Sequence, residues 1–205
     1  MANKKRVLRG SSHAPPDLRK TELLEAAITC FGRNGYFGTT IDHIAKEAGL
    51  SKGSVYRFFA KKEDVLLGIV RMMEKKFEDD FEPIMKAVDD PRELIRLMLK
   101  TVVLYQCQNS DMERTWREFA FHPIAQKEYK RIFGDYRRDL LELYQMGVKE
   151  GVFIEQDVAP VLDALMSYQE GLFQLSYALP EFNAIHSFDM SWPLLERILI
   201  KPELL

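Results

Sequence analysis

From Ser51 to Lys62 the chain reads S-K-G-S-V-Y-R-F-F-A-K-K. This short stretch gathers ammonium groups at Lys52, Lys61 and Lys62, a guanidinium at Arg57, hydroxyls at Ser51 and Ser54 and a phenol at Tyr56. These groups suit the oxygens of a phosphate backbone and the edges of bases. Cations displace condensed counterions from a duplex, and Arg pairs bidentately with guanine. Gly53 lets the backbone come close, and Thr40 adds a hydroxyl upstream.

Such groups act together only if a rigid element presents them on one side. Ile41, Ile44, Ala45 and Ala48 recur at helical spacing, and Thr40 is placed to cap that helix. Gly49 suits the left-handed backbone of a helix exit, after which Ser51 caps a second helix expected from Lys52 to about Phe59. Val55 and Phe59, four apart, face the first helix and leave Lys52, Ser54, Tyr56 and Arg57 off the apolar stripe. Two short helices joined by a tight glycine-containing turn make a helix-turn-helix.

The formal net charge of the 205 residues is -2, which by itself argues against a polyanionic partner. The two ends differ, however: residues 1–62 carry +7 and residues 63–205 carry -9. A basic N-terminal module is therefore joined to an acidic remainder. Apolar residues make up 46% of the chain, enough for a sizeable core, and no apolar run approaches the ~20 residues needed to cross a bilayer. A soluble, cytoplasmic protein with no membrane partner is expected, and in a reducing compartment Cys30 and Cys107 are packed thiols rather than a disulfide.

In chain order, Met1 to Pro16 has basic residues but no apolar period, and is expected to be a flexible arm, a disordered start ahead of the alternative in which Lys4, Lys5, Arg6 and Arg9 reach DNA phosphate or a minor groove. Asp17 is placed to cap a helix carrying Leu24, Ala27, Ile28 and Phe31, which Asn34-Gly35 ends, with Tyr36 and Phe37 closing a small core and Phe58 more core than surface. A long helix follows from Lys61 to about Phe81, where Pro83 breaks the pattern. Asp90-Pro91-Arg92-Glu93 starts the next helix. A shorter helix begins at Asp111, a long one at His122-Pro123 that Gly151 closes, another at Asp157, and the last near Ser191. The fold class is all-α: a three-helix DNA-binding domain over 17–62 and a helical regulatory domain over 63–205, about nine helices in total.

At these residues the chain resembles the DNA-binding domain of the tetracycline-repressor (TetR) family of transcriptional regulators. The resemblance lies in T-T-I-D-H-I-A-K-E-A-G ending at Gly49, in S-K-G-S-V-Y after it, and in Phe59 with K-K-E-D-V-L, spread over Leu18 to Leu67. It implies DNA contacts at Thr40, Lys52, Gly53, Ser54, Tyr56, Arg57 and Lys62, to which the local chemistry adds Ser51 and Lys61. Arg57 and Phe58 stand where the family often has aromatic or His residues, and Ala60-Lys61 where it often has Pro-Ser.

The resemblance further implies a homodimer on a roughly palindromic double-stranded operator, released by a small-molecule inducer bound in the acidic half. Tyr105, Trp116, Phe119, His122, Tyr168, Gln169 and Phe173 combine aromatic bodies with polar tips and are the candidate pocket. Two C-terminal helices are apolar around more than one side, which gives Leu165, Leu172, Leu175, Trp192, Leu195, Ile198 and Leu199 as the candidate dimer interface. Scattered His residues, no phosphate loop and no metal spacing point to no catalytic residue, no metal and no cofactor. The alternative is a helical protein-interaction module that keeps the helix-turn-helix only as scaffold.

Overall fold

The computed structural model describes residues 16–119 and 121–204, so the expected basic arm, apart from Pro16, and Ala120 lie outside the described residues. These contain nine α-helices: α1 (Pro16–Gly38), α2 (Ile41–Glu47), α3 (Lys52–Tyr56), α4 (Lys62–Lys86), α5 (Pro91–Gln108), α6 (Ser110–Phe119), α7 (Pro123–Lys149), α8 (Ala159–Ala178) and α9 (Ala184–Leu195). Their only strand-like pairing is an isolated antiparallel bridge between Phe153 and Ile200. No described helix is long and apolar enough to cross a membrane.

The chain divides into two compact units. The first comprises the described part of Met1–Lys75 with Arg114–Phe121, the second Lys76–Glu113 with His122–Leu205. The first unit thus takes in the opening half of α4 and the end of α6, where the sequence placed the division at 62/63. Its core is Leu24, Ala27 and Phe31 of α1, Ile44 of α2, Val55 of α3, Phe59, and Val65, Leu66 and Ile69 of α4, all buried. Full burial of each large aliphatic or aromatic side chain contributes about 1.5–3 kcal/mol, so these packed faces offset the entropy of ordering helices too short to stand alone.

Several local expectations are corrected. Asp17 lies inside the first turn of α1 rather than at its cap, because the helix already includes Pro16. Gly35, at φ 69°, breaks the α1 geometry where Asn34-Gly35 was expected to end it. Tyr36 is then buried, but Phe37 is 74% exposed and closes no core. Helix α3 stops at Tyr56 instead of Phe59, and Phe58 is half-buried. Helix α4 runs through Pro83 for its last turn, since Pro there forfeits a single bond so close to the end.

The second unit packs α5, α7, α8 and α9 around Ile95, Leu99, Val103, Leu140, Leu162 and Phe188. Asp90 caps α5 as expected, and Gly151 leaves α7 at φ 77°. Helix α9 starts at Ala184, one turn and more before Ser191, because the Asn183 side chain accepts the His186 amide and caps it. On this helix Asp189 receives Lys100 Nζ at 2.7 Å and Arg96 Nη2 at 3.0 Å from α5. These cations hold the Asp189 carboxyl below the usual carboxylate range.

Candidate nucleic-acid interface

The start of α2 is fixed by reciprocal capping: Thr40 Oγ1 accepts the His43 amide at 3.2 Å, and His43 Nδ1 accepts the Thr40 amide at 3.4 Å. Gly49 then takes φ 66°, a backbone that an L side chain resists, and the chain turns into α3. Ser51 caps α3 by accepting the Ser54 amide at 3.2 Å, and the two serine hydroxyls lie 2.9 Å apart. With Val55 and Phe59 buried, Ser51, Lys52, Gly53, Tyr56 and Arg57 are exposed and Ser54 half-exposed. The sequence-derived outer face of the helix-turn-helix is therefore one contiguous surface.

Its charges are loosely held. Lys52 Nζ meets Asp42 Oδ2 at 3.0 Å, which raises the lysine pKa, but both side chains are largely in water. Such exposed pairs are weak, so a phosphate oxygen can replace the carboxylate at little cost. Lys61 is also exposed. At the start of α4 Asp64 reaches back to accept the Lys61 amide at 3.1 Å, the acid's half of a capping box and not the half that the missing hydroxyl would supply.

Lys62 is the exception and corrects the sequence reading. Its ammonium donates to the Tyr36 carbonyl at 2.7 Å and to the Thr39 carbonyl at 2.8 Å, and lies 4.3 Å from the centre of the Tyr36 ring. Burial lowers its pKa. Two of its three protons are thus committed to the segment that leads into α2. Lys62 supports the outer face from behind rather than standing on it.

The candidate pocket does not assemble as a group. Trp116 and Phe119 fall in the first unit, where Phe119 packs 4.5 Å from the Tyr36 ring. His122 caps α7 by accepting the Ile124 amide. Gln169 is buried and engaged at both ends, donating to the Leu99 carbonyl at 2.7 Å and accepting from the Tyr136 hydroxyl at 2.9 Å. Tyr168 bonds Ser191 on α9, and Tyr105 sits edge-on to Phe77. Aromatic bodies with polar tips here serve packing. Phe173 alone of the seven lines the cleft of about 580 Å³ that opens at the end of α8.

The candidate dimer residues are likewise mostly core. Leu165, Leu172, Trp192 and Leu199 are buried within the second unit itself, while Leu175 and Ile198 are exposed and Leu195 is half-buried. The face left to solvent includes Leu175 and Ile198 and adds positions that the sequence reading did not name. On α8 it runs through Ala164, Ser167, Gly171 and Ala178, and a methyl group added at Gly171 would meet nothing within 4 Å. On α9 it presents Met190 and Leu194, 68% and 65% exposed, too apolar for an ordinary solvated face. The signal in the sequence was Gly171 within a helix and the i, i+4 pair Met190 and Leu194.

Residues 23–69 match the bacterial regulatory proteins of the tetR family. The HTH-type transcriptional regulator BetI of Rhizobium meliloti (strain 1021) is 28% identical over 134 residues, 64% of this chain. The match spans 65% of that relative's length, a little under two thirds. A TetR transcription regulator from Haloarcula marismortui ATCC 43049 has the same fold, with a TM-score of 0.78 at 21% identity over 90% of this chain and 100% of that one. A transcriptional regulator from Saccharomonospora viridis, solved in complex with choline, gives 0.78 at 22% identity over 90% and 99%.

Proposed function

Because the chain belongs to the tetR family of bacterial regulatory proteins, we propose that it regulates transcription by binding an operator as a homodimer. The observation that carries this reading is the exposed face of α3, with Lys52, Tyr56 and Arg57 turned to solvent while Val55 and Phe59 anchor the same segment. Lys52, Lys61, Ser51, Ser54 and Thr40 meet backbone phosphates, and Arg57 and Tyr56 read base edges where Gly53 lets the helix approach.

Two copies of α3 occupy successive major grooves about 34 Å apart, or a near multiple, on a dyad-symmetric site. The mate docks on the exposed stripe of α8 and α9, where Gly171 and the small residues beside it permit close helix approach, and Met190 and Leu194 supply the apolar area. A small molecule in the second unit lowers operator affinity by the coupling free energy between the two sites. That a protein of the same fold was solved in complex with choline fits a small-molecule ligand for this chain. Helices α4 and α6 each pass along the chain from one unit into the other, so a shift in either one is the route by which occupancy is felt at α3. Repression relieved by the ligand is the outcome.

Selection of randomised duplexes on the full-length protein tests this. A recovered site with two inverted half-sites supports the reading, and recovery of unrelated sequences in no common arrangement overturns it.

A further inference from the structure

The cleft at the end of α8 is lined by Phe173, Tyr177 and Phe182, and Glu181 is the only charged residue among the described residues that line it. Aromatic faces are electronegative and attract a cation laid against them, more strongly where it is desolvated. Several of the other polar atoms there have partners. The Ser176 hydroxyl donates to the Phe173 carbonyl at 2.8 Å and lies 3.5 Å from the Cys107 thiol, while Asn183 Oδ1 accepts the His186 amide at 2.9 Å. The carbonyl end of α8 and the amide end of α9 both border the cleft with opposite signs and roughly offset one another. Glu181 therefore sets the charge that the cleft prefers.

We propose that this cleft binds a monovalent organic cation with an apolar or aromatic body, its charge at Glu181 and its body against Phe173, Tyr177 and Phe182. An anion would meet Glu181 with no Lys or Arg among the described lining residues to balance it. A neutral apolar molecule would leave the carboxylate unused. The inference rests on the reading of the second unit as ligand-receiving and names the class of ligand. It is compatible with the dimer: Tyr177 lies about 120° around α8 from Gly171, so a mate on the Gly171 stripe leaves the cleft open.

Titration of the full-length protein with phenyltrimethylammonium, its uncharged isostere tert-butylbenzene and benzoate tests the proposal. The cation is expected to bind about tenfold tighter than the isostere, and benzoate more weakly than either. Glu181→Gln should bring the cation down to the affinity of the isostere and leave the isostere unchanged. Phe182→Ala should weaken both. Equal affinity for cation and isostere, no binding of either, or a cation affinity indifferent to Glu181→Gln each overturns the proposal. Operator release separates this from the regulatory reading. A cation that binds in a Glu181-dependent way without changing operator affinity upholds the cleft and contradicts ligand control through it. Release that persists unchanged in Glu181→Gln contradicts the cleft and upholds ligand control.

Discussion

The Glu118 carboxylate accepts the backbone amide of Tyr36 at 2.9 Å across 82 positions of sequence. It sits where a Cβ on Gly35 would fall, 2.7 Å from Oε2, so glycine is required both for this approach and for its own φ of 69°. Lys62 grips the carbonyl of the same residue from the other side. The short segment that leads into the helix-turn-helix is thus held by one acid and one base from different helices.

Removing the acid should loosen that segment without unfolding the protein. Glu118→Ala is expected to cost about 1 kcal/mol, a charge-assisted bond discounted for its exposure, and to speed hydrogen exchange at the Tyr36 amide. Gly35→Ala should cost more, because it adds left-handed strain of about 1–2 kcal/mol to the loss of the same bond. Exchange rates at Tyr36 and thermal unfolding midpoints check both.

Lys62 and Lys52 should separate cleanly. Lys62→Met keeps the aliphatic stem but takes a charged donor from the Tyr36 and Thr39 carbonyls, so it is expected to lower the stability of the DNA-free protein by about 1–3 kcal/mol. Lys52→Ala should leave thermal unfolding unchanged and reduce the salt slope of DNA binding by about one for each protomer bound. Calorimetry on free protein and titration at several salt concentrations distinguish them.

Arg57→Ala should cost about 1–3 kcal/mol of operator affinity and relax preference at one base position. Equal loss on every duplex would make Arg57 a phosphate contact instead.

The dimer surface has a paired control. Leu194→Asp or Gly171→Trp should give folded monomer by sedimentation. Leu172→Ala should instead destabilise the protomer by about 2–5 kcal/mol, since Leu172 is 5% exposed and belongs to the core.

Acid should act through Asp189. Its carboxyl is held below its ordinary value of 3.8 by Lys100 and Arg96, so the stability it adds is complete above that pH and is lost as pH falls through the lowered value. The side chain is 37% exposed, and the contribution is roughly 1 kcal/mol. Unfolding midpoints of the parent and Asp189→Asn should differ at pH 6, draw together as pH falls past 3.8 and converge only below the lowered value.

The local chemistry was readable wherever a side chain bonds its own turn: Thr40 and Ser51 as caps, Gly49 as an exit, Asp90-Pro91 as a helix start. Periodicity also placed Val55 and Phe59 inside. Contacts set by tertiary position were not readable. Nothing near Glu118 in sequence points to Tyr36, and a lysine at the start of a helix reads as a phosphate contact until Lys62 is seen turned onto two carbonyls. The solvent face of α8 was hard to read for a related reason. Helix α8 is apolar around so much of its circumference that composition alone did not say which side the protomer uses, and Leu165 and Leu172 turned out to be that side.

The central claim is that the cations and hydroxyls of α3 and its flanks face a duplex. Its most direct test is titration of a mixed-sequence duplex with the full-length protein over a range of salt, beside a Lys52→Ala, Arg57→Ala, Lys61→Ala triple variant. The parent should weaken steeply and linearly in log salt, with the variant's slope shallower by about two for each protomer bound, from the two lysine contacts. A parent affinity indifferent to salt, or a variant slope equal to the parent's, would contradict the account.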